Sequence, residues 1–210
     1  MACNENRSFG LRDSLFNVDK SFIVPSVSFR AIVTVGAIVG VVVIPQFFHL
    51  FGSAIGVGSL LGRVFLPMYF PIIIVGLIGG STAGIIAGLF GPVISFLISG
   101  MPIISKLPAM VFELVLLGFI AGLLNSVKGS LAKKLAMLQI TGLISLFAIE
   151  ILSEVVLETG SSFSSVFSAI GSTVLTGLPG ILLQWVLIPV IVSYIRGIGA
   201  CTNESKDDNN

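Results

Sequence analysis

The segment from Val64 to Val127 constrains this chain most, because only two of its 64 residues, Lys106 and Glu113, are charged. A soluble domain cannot bury so continuous an apolar stretch, whereas runs of about 18 or more apolar residues are typical of membrane spans. Helix-breaking residues interrupt the segment at intervals, at Pro67 to Pro71, Gly79-Gly80, Gly91-Pro92 and Gly100 to Pro102. The pattern therefore predicts several short, closely packed membrane helices.

The whole chain has the same character, with 55% apolar and 10% charged residues, against roughly 25% charged in soluble domains. At about 20 residues per span, a chain of 210 residues can form five to seven helices in one bundle. No basic, aromatic-interleaved patch for nucleic acid is present. We expect an all-α integral membrane protein, a six-transmembrane-helix bundle.

The apolar segments define three regions: an N-terminal segment over 1–26, a membrane domain over 27–195 and a polar tail over 196–210, disordered from Thr202 onward. The Pro179-Gly180 step is expected to kink or unwind the last span. The six predicted spans are Val27–Leu50, Phe65–Ile78, Thr82–Ser99, Leu107–Leu124, Leu135–Leu157 and Thr173–Ile195.

The positions of lysine and arginine predict the orientation. With both termini in the cytoplasm, nine basic residues lie inside and only Arg63 and Lys106 lie outside, which satisfies the positive-inside rule and requires an even number of spans. The nine are Arg7, Arg12, Lys20, Arg30, Lys128, Lys133, Lys134, Arg196 and Lys206. We expect a multi-pass protein of the cell (plasma) membrane.

Small residues recur at helical spacing in two of the spans. Gly80 precedes the third span, which carries Gly84 and Gly88 at the same spacing, and the first span carries Gly36 and Gly40 beside Ala37. Such spacing lets neighbouring backbones approach closely. It serves either internal helix packing or a face kept for a partner protein, and we assign Gly36, Ala37 and Gly40 to partner coupling.

Polar side chains gather in the outer half of the predicted bundle, which suggests a ligand pocket open to the outside. We assign substrate binding to Arg63, Tyr69, Glu113, Glu150, Glu154, Gln184 and Trp185. Alternatives remain: Arg63 could be an interfacial anchor and Trp185 a packing residue. Carboxylates within a bilayer are costly unless paired or hydrated. We therefore expect a ligand with an amine, a cationic ring or several N–H donors.

Motifs for catalysis are missing from the sequence. There is no phosphate-binding loop, no His-Glu-x-x-His and no Gly-x-Ser-x-Gly, and the chain has one histidine, His49. The four aspartates, Asp13, Asp19, Asp207 and Asp208, all lie in the tails. The sequence thus predicts no enzyme, no metal site and no cofactor in this chain.

Several sequence blocks form a recurring frame: Arg63–Ile72, Gly76–Gly80, Gly88–Pro102, Leu107–Glu113, Gly118–Leu124 and Gly177–Pro189. This frame resembles the substrate-binding S components of energy-coupling factor (ECF) vitamin transporters. The resemblance covers about residues 27–195.

The resemblance implies a six-helix subunit that captures a vitamin or precursor on its outer side. It also implies three partners, a transmembrane coupling subunit and two subunits that hydrolyse ATP. Members dock through an Ala-x-x-x-Ala-like patch on the first span, to which Gly36-x-x-x-Gly40 is the nearest match here. Two other hypotheses stay open. One is a self-sufficient proton-coupled carrier using the intramembrane glutamates, and the other is a structural membrane protein without a ligand.

Overall fold

The computed structural model describes residues 27–56, 64–65, 67–100, 102–127, 129–157 and 163–207, and the side chains of 153–157, 163–166, 169, 193 and 196–207 lie outside that description. The described residues form six α-helices and no strand. These are α1 (Val27–Ala54), α2 (Tyr69–Gly79), α3 (Ser81–Ser99), α4 (Leu107–Ser126), α5 (Leu131–Leu157) and α6 (Phe163–Asp207).

Five of these helices are long and apolar enough to cross a membrane, and α2, with 11 residues, is a shorter apolar helix. Large apolar side chains are exposed along the outside of the bundle, including Ile32, Phe90 and Leu182. Exposed apolar surface on this scale is a liability in water and is the normal outer surface of a protein in lipid. Length, composition and surface together indicate a multi-pass membrane protein.

The helices overlap the six predicted segments, but α1, α2 and α5 each differ by four residues at one end and α6 differs by ten or more at both ends. The second begins at Tyr69 rather than Phe65, after a turn at Pro67 and Met68. The last is a continuous helix of 45 residues through Asp207. It does not unwind at Pro179-Gly180, and it extends past Thr202, where disorder was expected. Hydropathy marks the apolar part of a helix and gives no signal where the helix continues into polar sequence.

Two contacts identify the ends of the bundle. Arg30 of α1 donates a hydrogen bond from Nε to the backbone oxygen of Gly79, at 2.8 Å, where α2 ends. At the opposite end the rings of Phe48 and Phe65 stack with centroids 5.3 Å apart. We call these the Arg30 end and the Phe65 end. Near the start of α5, Lys134 donates from Nζ to the backbone oxygen of Asn125 near the end of α4, at 3.5 Å. The α2–α3 junction lies at the Arg30 end.

The tightest packing in the described structure joins α3 to α4. A Cβ on Gly84 would overlap the carbonyl oxygen of Gly118, and one on Gly88 would lie 2.6 Å from the carbonyl oxygen of Leu114. Only glycine permits backbones to approach this closely, so this interface depends on the glycine spacing. Gly80, with φ of 86°, makes the turn from α2 into α3.

Candidate functional site

The most unusual polar contact in the bundle joins α2 to α4. The phenol hydroxyl of Tyr69, the first residue of α2, lies within hydrogen-bonding reach of the carboxylate of Glu113. Glu113 is buried, with 7% of its surface exposed, and Tyr69 packs against both apolar clusters of the core. A buried carboxylate costs several kcal/mol unless its oxygens are satisfied. This contact therefore places a strong hydrogen-bond acceptor among apolar side chains near the Phe65 end.

Apolar side chains surround this pair on the α1 and α3 side. The neighbouring cluster contains Val41, Met68, Ile72, Ala87 and Leu114 among its buried members. Toward the Arg30 end, the inward-facing residues of α4 are apolar or glycine until Asn125. No ionisable side chain therefore follows Glu113 on this buried face of α4.

Basic residues of the described structure lie away from Glu113. Arg30 is bonded to Gly79, ten residues beyond Tyr69 on α2, which at 1.5 Å per residue is about 15 Å along the helix. Lys106 is exposed and precedes α4, about two turns from Glu113. Neither cation neutralises the buried acid directly. A bound ligand with a donor or cationic group would supply that compensation.

Two further predicted site residues, Gln184 and Trp185, lie on α6. Gln184 of α6 is buried and accepts a hydrogen bond on Oε1 from Nε2 of Gln139 on α5, at 2.7 Å. Trp185 is partly buried and packs against the cluster shared by α2, α4, α5 and α6. The sequence did not indicate a role for Gln139. Its hydrogen bond to Gln184 links α5 to α6.

The remaining predicted acids and the arginine are not brought to Tyr69 and Glu113 by any described contact. Glu150 is partly buried on α5 and has an interaction of its own. Arg63 and the side chain of Glu154 lie outside the described residues. No cluster of three metal-ligating side chains occurs within the described part of the chain.

The three residues assigned to partner coupling face different ways. Ala37 is buried in the core, and a Cβ on Gly40 would lie 3.1 Å from Cγ of Pro71 on α2. Gly36 is exposed, and a Cβ there would have no neighbour within 4 Å. Of the three, Gly36 alone lies on open surface.

A groove on the outside of α3 and α4 has only apolar lining, so it offers no group to orient a polar ligand. Its lining residues are Ile85, Phe112, Val115, Leu116 and Phe119. In a bilayer this groove is a contact surface for lipid chains.

Val64 and Phe65 form a short segment that contacts both α1 and α6 at the Phe65 end of the bundle. Phe65 stacks on Phe48 of α1, and a Cβ on Gly180 of α6 would lie 2.6 Å from the carbonyl oxygen of Val64. Gly180 therefore allows this segment to rest directly on the α6 backbone. The sequence signal was the Pro-Gly step itself, whose glycine serves close approach rather than a break in the helix.

Comparisons with protein-family models, with curated proteins and with solved structures find no match for this chain.

Proposed function

We propose that this chain is the substrate-capturing membrane subunit, or S component, of an ECF-type importer in the cell membrane. The observation that carries the proposal is the buried, hydrogen-bonded pair of Tyr69 and Glu113 in an otherwise apolar region. Intramembrane ionisable groups without a structural ion pair are functional candidates. The resemblance of the sequence blocks supplies the transporter class.

The proposed ligand is a small micronutrient with an amine, a cationic ring or several N–H donors. Glu113 accepts hydrogen bonds from such groups, and charge-assisted bonds of this kind are the strong ones. Tyr69 offers a ring face for a planar or cationic group. The ligand is released inward only with the help of a transmembrane coupling subunit and two ATPase subunits.

The orientation follows from the positive-inside rule. Arg30, Lys133 and Lys134 lie at the Arg30 end, so that end faces the cytoplasm and the Phe65 end faces outside. After Cys3 and Cys201 are replaced, an impermeant outside reagent should label Ser105→Cys and spare Ser126→Cys. Both positions are exposed. The reverse labelling pattern would place the site on the cytoplasmic side and contradict capture from outside.

The competing proton-coupled carrier needs a series of ionisable groups across the membrane. Beyond Glu113 the inward face of α4 offers Leu117, Gly118 and Ala121, which cannot carry a proton, and this favours the subunit over the carrier. Purified chain in liposomes should bind its ligand without accumulating it under a proton gradient. Accumulation by the chain alone would support the carrier instead.

The site itself is tested by substitution. Mass spectrometry first identifies the small molecule that remains bound after purification. Calorimetry with that molecule should then show affinity about tenfold or more lower for Glu113→Gln, since a charged hydrogen bond contributes roughly 1.5–3 kcal/mol. Tyr69→Phe should weaken binding less, and the double change should be less than additive because the two groups share a hydrogen bond.

The matched control is Thr141→Val, which should keep full affinity. The hydroxyl of Thr141 is bonded within its own helix, to the backbone oxygen of Met137. Equal affinity in all these variants would remove Glu113 from the site.

A further inference from the structure

Two buried side-chain atoms near the Phe65 end have no hydrogen-bond partner in the described structure, Nε2 of Gln46 and Oγ of Ser95. Ser95 is completely buried, at 0% exposure. One turn later, Ser99 donates to the backbone oxygen of Ser95 at 2.7 Å, the usual way for a membrane helix to satisfy a hydroxyl. An unsatisfied buried polar atom carries a free-energy penalty, so both atoms point to a missing partner.

The two atoms lie at the same depth in the bundle. Helices α1 and α3 run in the same direction, because Arg30 of α1 lies against Gly80 at the start of α3 and Val41 lies against Gly91 further along. Gln46 is five residues beyond Val41, and Ser95 is four beyond Gly91. At about 1.5 Å per residue the two positions differ by only about 2 Å in height.

This level lies nearer the Phe65 end of the bundle than Tyr69 and Glu113 do. Gly40 of α1 faces Pro71 of α2, and since α1 and α2 are antiparallel, Tyr69 is level with about residue 42 of α1. The Gln46–Ser95 layer is therefore about four residues, or roughly 6 Å, nearer the Phe65 end. Buried Met68 belongs to the apolar cluster between these helices. Along the bundle axis, the two unsatisfied donors therefore lie on the Phe65 side of the Glu113 carboxylate.

We infer that Gln46 and Ser95 bind the acceptor end of the ligand while Glu113 binds its donor end; this inference rests on the proposed function. The amide Nε2 can only donate, and the serine hydroxyl can donate as well, so one carbonyl oxygen, with two lone pairs, can accept from both. The ligand class is a compact planar molecule with an amine or N–H group at one end and a hydrogen-bond acceptor at the other. A ligand with only a cationic end would leave both donors unsatisfied.

Three related probes separate the two ends of the site. 4-(Aminomethyl)benzamide carries both an amine and an amide oxygen, 4-methylbenzylamine lacks the amide, and 4-methylbenzamide lacks the amine. Calorimetry with the full chain in nanodiscs should rank the first probe tightest. Ser95→Ala and Gln46→Leu should each weaken that probe about fivefold, in keeping with a neutral hydrogen bond, and leave 4-methylbenzylamine unchanged. Ser99→Ala is the matched control, because that hydroxyl is already bonded to Ser95, and it should bind all probes like wild type.

The outcomes distinguish this inference from the proposed function. In one outcome, Glu113→Gln lowers the affinity of both amine probes, but the amide group does not raise affinity in wild type or in the Ser95 and Gln46 variants. That result would overturn the inferred acceptor site and leave the proposed Glu113 site in place. A similar loss for all three probes in Ser95→Ala would mark a packing role and overturn the inference. If wild type binds none of the probes, both the inference and the proposed site are contradicted.

Discussion

The contact between α3 and α4 and the exposed face of α1 use the same kind of residue for opposite purposes. At Gly84 and Gly118 the backbones touch, and each glycine would overlap the other helix if it carried a Cβ. At Gly36 the space outside the helix is empty. Inside the bundle, a small residue lets two helices of the chain pack closely. On the surface, the same residue leaves room for another molecule to pack closely against the helix.

Gly40 stands between these two cases. It belongs to the same four-residue spacing as Gly36, yet it faces Pro71 on α2 at a distance that leaves little room for a side chain. Two glycines of one spacing motif therefore have different surroundings. Gly40 packs against α2 inside the bundle, whereas Gly36 lies on its surface. Three substitutions test this division, from the largest expected effect to the smallest.

Gly84→Ala should have the largest effect on stability. The added methyl group would overlap the carbonyl of Gly118, and because backbone atoms cannot move aside as side chains do, we expect a loss of about 3 kcal/mol or more. The free energy of unfolding in mixed micelles measures it. Gly36→Ala is the matched control, with open space at the new Cβ, and should be neutral or gain up to about 1 kcal/mol from helix propensity. Equal stability of the two variants would mean that α3 and α4 are further apart than described.

Gly40→Leu should have an intermediate effect. A Cβ there lies 3.1 Å from Cγ of Pro71, so a leucine must push α1 away from α2 at a cost of about 1–3 kcal/mol. We expect a lower unfolding midpoint together with weaker ligand binding, because α2 carries Tyr69. Intact stability in this variant would assign Gly40 to the open surface and restore the whole motif to partner coupling.

Gly36→Leu should leave stability within about 1 kcal/mol of wild type, since nothing lies within 4 Å of the new side chain. We expect ligand affinity to be unchanged and ATP-driven uptake by the assembled importer to fall, because a bulky group holds a partner helix away. Uptake assays and calorimetry on the same preparation measure both. Unimpaired uptake would place the docking face on another helix.

Much of the fold could be predicted from hydropathy alone. The apolar stretches locate α3 and α4 within two residues of their observed ends, because apolar sequence and membrane span have the same extent there. The long α6 was underestimated at both ends, since residues 163–172 and 196–207 carry polar groups that hydropathy assigns to loops. Helix length beyond the apolar window depends on local backbone bonding, which the apolar pattern does not encode.

The candidate site was predicted only in part. Glu113 and Tyr69 stood out because charge and phenol are rare in such a segment, and the structure brings them together. Gln139, Gln46 and Ser95 were missed, because a polar residue in a span gives no sign in sequence of which helix it will face. Helix rotation and register decide whether a side chain finds a partner, as Gln139 does, or lacks one, as Ser95 does.

The contact of Gly180 with Val64 and Phe65 has a consequence for biosynthesis. Chains enter the membrane from the N-terminus, so Val64 and Phe65 are inserted long before the α6 residue on which they rest. Until that last helix arrives, this segment lacks the α6 backbone on which it rests. The packing at the Phe65 end is therefore completed only at the end of synthesis. In a nascent chain that lacks α6, Phe65 should be accessible to protease or, as a cysteine variant, to a labelling reagent.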